Sequence, residues 1–501
     1  MNRPLTRAVL TSGQARLSRW AVSPVFLAAI VACGLVVRLR QYLFAHSYWY
    51  DEAFLLLPIR ERGFAELFGP QPYNLVIPPL FLWLTRALYL LGGDGELLMR
   101  LPAFVAGIAA LGLMVPLARN IVGTVQSVCA VALLVVCRHA VSHGCEVRPY
   151  TVDLLTLEAI LYAVTLLIDP LTGPRTRSCA ATGLGAAAVF GPWLSFPSAF
   201  ALGGASLALA VQLGRHATWR KWLAWGCFNA IAGLSALTLW WFSGRHLYYP
   251  GMREHWGHQG WGGFPDWNSP LAIGTWLCGR PVEIGNYGNR ELGIVLSLLA
   301  IAGGVCLAKR KAALVVLLAT PFLLAAVAAL LGRYPLAHRT SFFLLPCLWL
   351  LAACSIDGLV AWGRRRGWEL AYIGLLLIAW DFVALMANLA RPDANLDFRG
   401  AYQFVCAHRQ PGDLLWSQTA IMYQTYYGTA APVLMDHEFG DAVRLANQQR
   451  LWVVLGDNRL DLRQQLEVGG GHVALRHHVS GLDVFLFEPS PGYTATHASR
   501  P

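Results

Sequence analysis

Long apolar stretches alternate with short polar loops along this sequence, and the basic residues collect in every second loop. About eleven stretches are long enough to cross a hydrocarbon core of ~30 Å as helix. Arg3, Arg7, Arg16 and Arg19, then Arg175 and Arg177, then Arg215, Arg220 and Lys221, fall at even crossings. Lys309, Arg310 and Lys311, then Arg364, Arg365 and Arg366, continue the series. An excess of Lys and Arg marks cytoplasmic loops. The loops between them, rich in carboxylates and aromatics, then face the other side. The alternation decides which polar side chains can meet.

Composition agrees. The chain is 56% hydrophobic and 13% charged, with a mean hydropathy of +0.47, which excludes an ordinary soluble enzyme. A net charge of +11 suits nucleic acid at first sight. The cationic clusters lie where topology puts them, so they match anionic headgroups, and membrane lipids rather than nucleic acid are the expected partners. The spans fall at about 25–43, 101–119, 123–141, 150–168, 179–195, 197–213, 222–242, 291–308, 312–331, 340–361 and 368–390. Pro192 and Pro197 interrupt the fifth and sixth. The first lacks a small-residue cleavage site and is expected to stay as an anchor. Most cysteines lie inside spans; Cys145, Cys278 and Cys406 are expected outside, without zinc spacing.

Residues 1–24 form a basic tail and 25–390 the membrane domain, with outer loops at 44–100 and 243–290. The apolar segment Pro78–Leu91 is short and contains Arg86. Crossing there would move every later basic cluster to the wrong side, so an interfacial helix is expected. From 391 to 501 hydropathy drops to soluble values. β-type runs at Asp413–Ser417, Arg450–Leu455 and Asp483–Phe487, with helical patterns at Arg399–His408 and Asp441–Gln449, indicate a small extracytoplasmic α/β domain. No internal repeat is evident, which weighs against inverted-repeat transporters.

The first outer loop opens with Tyr48-Trp49-Tyr50-Asp51-Glu52-Ala53. Two adjacent carboxylates at a membrane interface are costly unless used. A carboxylate here suits general-base work on a hydroxyl. It equally suits a helix cap beneath an aromatic belt. The second outer loop holds His246, His255 and His258 among Gly and Trp, a pattern better suited to a flap than to a supported metal site.

The strings YWYDEAF, PPLFLWLTRALYLLGGDGELLMRLPAFVAGIAAL and SHGCEVRPYTVDLL resemble the GT-C membrane glycosyltransferases. The likeness is closest to the bacterial protein-mannosyltransferase-like (dolichyl-phosphate-mannose mannosyltransferase-like) group. Four motifs occur in order on one side of the membrane, over roughly residues 25–165. Ile77 departs from the pattern, where the family often has His. The resemblance implies a polyprenyl-phosphate sugar donor, a lipid, glycan or protein acceptor, and a site on the outer face of a bacterial inner membrane. It implies Asp51 as catalytic base in one inverting displacement, beside Glu52 as acceptor contact or charged neighbour. The leaving phosphate needs cations, and arginine binds phosphate oxygens bidentately. Arg148 and Arg339 are the first candidates, with His338 and Arg100 behind them. Arg100 equally suits a structural role in orienting the loop. Tyr50, Glu146 and Tyr150 are candidate acceptor or sugar contacts. No cofactor is required; a divalent cation is compatible, although no second Asp-x-Asp motif argues for one.

Two competitors differ in class. A transporter or lipid flippase needs ionisable residues inside spans, and Asp153, Glu158 and Asp381 are the few candidates. A polymerase or ligase using a pyrophosphate-linked oligosaccharide needs the same base and arginines. Nucleotide-sugar use is disfavoured, since no Gly-rich nucleotide-binding turn is present.

Overall fold

A computed structural model describes residues 24–214, 217–246, 251–257, 261–356, 382–383, 385–387, 390–392, 396–417, 419–427, 433–434, 449–456, 460–468 and 471–489. The apolar windows become helices α1 (Pro24–Leu43), α2 (Tyr50–Glu61), α3 (Pro79–Gly92), α4 (Glu96–Val122), α5 (Thr124–Val136) and α6 (Arg138–Ser142). There follow α7 (Tyr150–Ile168), α8 (Pro174–Leu194), α9 (Ser198–Leu213), α10 (Trp219–Phe242) and α11 (Met252–His255). The membrane part continues with α12 (Pro270–Gly288), α13 (Gly293–Leu330) and, after a 3-10 turn at His338–Leu344, α14 (Leu345–Cys354).

Among the described residues, five helices (α1, α4, α7, α10 and α13) are long and apolar enough to cross a membrane, and one helix pair, bent by 64° near Cys137, has the form of a broken span or a re-entrant loop. The described helices can be set beside the expected spans one by one. Helix α13 covers the two spans expected at 291–308 and 312–331, and its backbone leaves helical geometry between them, at Lys311 (φ −148°, ψ 76°), inside the basic cluster. The 16 residues of α9 extend only ~24 Å at the helical rise, short of a full core. The α8–α9 break falls at Ser195, which is extended (φ −152°, ψ 110°), while Pro192 stays inside α8. The segment expected at the interface is the 14-residue α3. The tail before residue 24, the Arg364–Arg366 cluster and most of the last expected span lie outside the described residues.

Lipid tails give helices no hydrophobic reason to associate, so close approach depends on small residues. A Cβ on Gly303 of α13 would lie 1.8 Å from the Leu351 carbonyl oxygen of α14, so only glycine fits this crossing. Phe342, Phe343 and Trp349 are fully buried beside it. The Trp349 indole donates to Asn289 Oδ1 at 2.7 Å, fixing the start of α13.

The C-terminal residues form a five-stranded sheet, ordered β2-β1-β3-β5-β4. The strands are β1 (Leu414–Ser417), β2 (Val433–Leu434), β3 (Leu451–Gly456), β4 (Gly471–Val479) and β5 (Leu482–Pro489). Strand β1 runs parallel to β2 and β3; β5 runs antiparallel to β3 and β4. Helices α15 (Phe398–His408), α16 (Ala420–Tyr427) and α17 (Leu460–Val468) accompany it. Helix α17 and strands β2 and β4 lack an apolar run long enough to have been expected. The helix expected at Asp441–Gln449 falls almost wholly outside the described residues.

This C-terminal part docks on the segment between α1 and α4. Ser47 Oγ donates to Asp397 Oδ1 at 2.6 Å, and Tyr48 N donates to the Tyr426 hydroxyl at 2.7 Å. Arg399 pairs with Glu96 at 2.8 Å and donates to the Ala45 carbonyl at 3.1 Å. Residues of α2, α3, α15 and α16 share one apolar cluster. The loop carrying Asp51 is thereby held from both sides.

Candidate active site

The sequence sets the local fold of α2 by placing Glu52 at its third position. Its Oε2 accepts from the Trp49 N–H at 2.8 Å, which caps the helix start. The same carboxylate accepts both prongs of Arg100, at 2.9 and 2.8 Å, and the Val147 N–H at 2.8 Å. Arg100 also donates to the His46 and Ser47 carbonyls at 2.7 and 3.2 Å. Both side chains are 1% exposed. The pair joins α1's exit, α2, α4 and the segment before α7. Glu52, expected at the acceptor, and Arg100, expected at the donor phosphate, are therefore turned toward each other and away from the open side. Removing one partner from such a pair is costly, because the other charge stays buried. Burial, with Arg100 behind it, holds the neighbouring His46 imidazole below its usual proton affinity.

Asp51, one residue earlier, points the other way and keeps 24% of its side chain exposed. Arg339, from the 3-10 turn before α14, pairs with its Oδ2. Arg148, from the segment before α7, stands 3.8 Å from Oδ1 and donates to the Asp51 backbone carbonyl. Three helix starts that are far apart in sequence thus converge on one carboxylate and two guanidinium groups. The first turn of α2 also brings its positive dipole end to this point.

Glu146 lies behind the arginines. His143 Nδ1 is 3.2 Å from its Oε2, and His143 Nε2 is 2.6 Å from the Tyr287 hydroxyl. Burial pushes the Glu146 carboxyl up, but His143, Arg148 and Arg339 together outweigh it and hold the group below the usual carboxylate range. The Tyr150 ring stands 4.7 Å from the His143 ring, close enough to Arg339, Arg148, Glu146 and Asp51 to feel their charges. Tyr50 is 36% exposed at the mouth, edge-on to Phe54 at 4.5 Å.

The loop between α10 and α12 is pinned beside Arg339. Trp256 lies under the guanidinium at 5.8 Å. Gly263 N donates to the Trp256 carbonyl at 2.7 Å, and Leu336 N donates to the Gly263 carbonyl at 2.8 Å. Arg280 and Trp276 both donate to the Gly262 carbonyl, at 2.8 and 2.9 Å. The expected flap is thus fastened over residues 261–264. His338 has φ +48° and sits between Trp261 and Tyr287, with ring centroids 5.5 and 6.0 Å away. Burial lowers its proton affinity. It faces the aromatic wall, and Arg339 alone of this pair reaches Asp51. His255 stands edge-on to Trp256, and His258 lies outside the described residues. Among the described residues, no three His, Cys, Asp or Glu side chains gather in a way that could hold a metal ion.

The structure therefore brings together Asp51, Arg148, Arg339, Glu146 and Tyr150 and sets Glu52 and Arg100 apart. Sequence reasoning missed His143, Tyr287 and Trp256. His143 stands three residues before Glu146 within a motif string, so spacing offered a signal. Tyr287 is 144 residues from its partner and offered none.

Residues 76–241 match the family model described as dolichyl-phosphate-mannose-protein mannosyltransferase. The matched stretch contains two of the motif strings that carry the resemblance, PPLFLWLTRALYLLGGDGELLMRLPAFVAGIAAL and SHGCEVRPYTVDLL. Among solved structures it is similar to ArnT from Cupriavidus metallidurans in the apo state, at 16% identity and a TM-score of 0.55, over 92% of this chain and 97% of that one. ArnT from the same organism bound to undecaprenyl phosphate matches at 15% identity and a TM-score of 0.50, over 95% and 99%. At these identities the shared property is the fold. No curated protein matches by sequence.

Proposed function

We propose that this protein transfers a monosaccharide from a polyprenyl-phosphate carrier to an acceptor hydroxyl on the outer face of the membrane. The observation that carries the reading is the meeting of Asp51 with Arg148 and Arg339 at a partly open point. The two arginines take the phosphate oxygens of the donor. Arg339 and Arg148 moving onto phosphate leave the Asp51 carboxylate free to accept a proton. The acceptor hydroxyl gives its proton to Asp51 while its oxygen bonds the anomeric carbon. The bond from that carbon to the phosphate oxygen breaks, and the electron pair leaves with the polyprenyl phosphate. One displacement inverts the anomeric centre.

The leaving group needs no proton, so charge stabilisation is the main demand, and fixed guanidinium groups meet it without reorganising. Glu146 and Tyr150 line the same point and are assigned to acceptor or sugar. His143 and Tyr287 hold Glu146 in place. Membrane spans and the family match support a lipid-borne donor; the class of sugar and the acceptor follow from experiment. Purified protein incubated with radiolabelled polyprenyl-phosphate sugars and a membrane extract should move label to an acceptor. Asp51→Asn should abolish that movement at unchanged abundance. Label moving at a near-normal rate in this variant removes Asp51 as base.

A further inference from the structure

Helix α2 buries most of its residues, and the positions it leaves open near its start are Tyr50, Asp51 and Phe54. Phe54 stands three positions after Asp51 and four after Tyr50, so it is a helix-surface neighbour of both. The loop between α2 and α3 brings a second tyrosine onto this open face. The Tyr73 ring lies 4.7 Å from the Phe54 ring, centroid to centroid, on the side chain that also meets Tyr50 at 4.5 Å. Tyr73 remains 51% exposed, so this is a surface contact and not part of the core.

The backbone is strained to put it there. Tyr73 (φ 59°, ψ 25°) and Asn74 (φ 54°) are consecutive left-handed residues in the 3-10 turn Pro72–Asn74. Asparagine visits that region readily, but a bulky tyrosine there is an outlier. The surrounding loop enforces the conformation. Leu75 and Ile77 are buried just beyond the turn. Before it, Arg62 donates to the Pro70 carbonyl at 2.7 Å and Gln71 Nε2 donates to the Gly69 carbonyl at 2.8 Å. Glycine at position 73 would relieve the strain, and a half-exposed ring adds little to the core. Strain of this kind persists where a side chain is held ready for a ligand.

The arginines reach Asp51 from the segments before α7 and α14, whereas the aromatic ledge comes from α2 and the loop that follows it. In a single displacement the acceptor oxygen approaches the anomeric carbon from the side away from the departing phosphate, with the base beside it. Once the arginines hold the phosphate, the ledge is the surface next to Asp51 that is left for the acceptor. It offers ring faces and phenol groups and no charge, which suits an uncharged, partly apolar portion of that molecule.

We propose that Tyr73 is a positioning residue for the acceptor, which lies on the Tyr50–Phe54–Tyr73 ledge while its hydroxyl meets Asp51. The proposal rests on the sugar-transfer reading above.

The test uses the full chain in detergent micelles, with Tyr73→Ala, Tyr73→Phe and Tyr73→Gly. Transfer from a radiolabelled polyprenyl-phosphate sugar is followed against increasing amounts of membrane extract. Tyr73→Ala should raise the extract needed for half-maximal transfer about 10-fold and hold the maximal rate within about threefold. Binding of undecaprenyl phosphate should stay within about twofold of wild type. Tyr73→Phe keeps the ring face and should recover most of the loss. Tyr73→Gly should share the acceptor defect yet have a higher Tm than Tyr73→Ala, since glycine takes the left-handed turn without strain. An unchanged extract requirement in Tyr73→Ala, a loss confined to the maximal rate, or an equal loss of undecaprenyl phosphate binding each overturns the assignment. A Tm for Tyr73→Gly below that of Tyr73→Ala overturns the strained turn on which it is built. All four results leave wild-type transfer, and so the reaction itself, standing. A wild type that transfers no label sinks the transfer reading and this proposal with it.

Discussion

Asp51 and Glu52 are consecutive carboxylates on one helix turn, yet they occupy opposite environments. Glu52 accepts from an arginine fork and two backbone N–H groups in a site closed to solvent. Asp51 meets two arginines at an open mouth, one of them at 3.8 Å. The difference teaches that a pair of acids need not be a catalytic pair. One acid builds the scaffold that aims the other, and the scaffold is shared: Val147, bonded to Glu52, immediately precedes Arg148.

The comparison breaks most visibly at the buried side. Arg100→Met should cost about 3–5 kcal/mol by stranding Glu52, read as lost folded yield and a lower Tm. Adding Glu52→Leu should restore much of that stability, because no charge is then left unpaired. A single variant as stable as wild type would mean the pair is not the scaffold.

At the open side the effect should fall on binding. Arg339→Ala should weaken polyprenyl-phosphate binding about 10- to 100-fold, with a small change in Tm. Arg339→Lys should recover only part, since an ammonium cannot make two parallel bonds to phosphate. Equal behaviour of Lys and Arg would remove the bidentate contact.

Glu146 sharpens the contrast through pH. Its carboxyl is held below the usual range, so its contribution is complete above the unfolded value of ~4.3 and is lost as pH falls through the folded value. Glu146→Gln should therefore lower the Tm at pH 7, and the gap should close as pH drops below ~4. A gap that widens in acid contradicts the assigned partners.

The smallest effect lies where the C-terminal part meets the loop. Ser47→Ala removes two hydrogen bonds, one donated to Asp397 and one accepted from the Arg399 N–H, and should cost about 1–2 kcal/mol. Faster limited proteolysis of the C-terminal part would register it.

Much of this was legible in the sequence. The apolar runs give α1, α4, α7 and α10, and the outer motifs name Asp51, Arg148 and Arg339 because each sits at a helix start just beyond a span. The span count was harder to read. Pro192 stays inside α8 and the break falls at Ser195, which hydropathy does not show, whereas the kink at Lys311 sits in the basic cluster between two expected spans. The fate of Glu52 was hidden for another reason. The cap reading was attached to Asp51 rather than to Glu52, and the pairing of Glu52 with Arg100 spans 48 residues and depends on tertiary packing. Tyr287 and Trp256 were invisible in the same way, since aromatic residues are common in outer loops.

The claim on which the account turns is that Asp51 accepts the proton while Arg148 and Arg339 hold the phosphate. Asp51→Asn tests it most directly, by measuring lipid-phosphate binding and sugar transfer on one preparation. The account predicts binding at least as tight as wild type, because the arginines lose a competing carboxylate, and transfer reduced by about 10²–10⁴-fold. Transfer at a near-normal rate, or binding lost together with transfer, would contradict it.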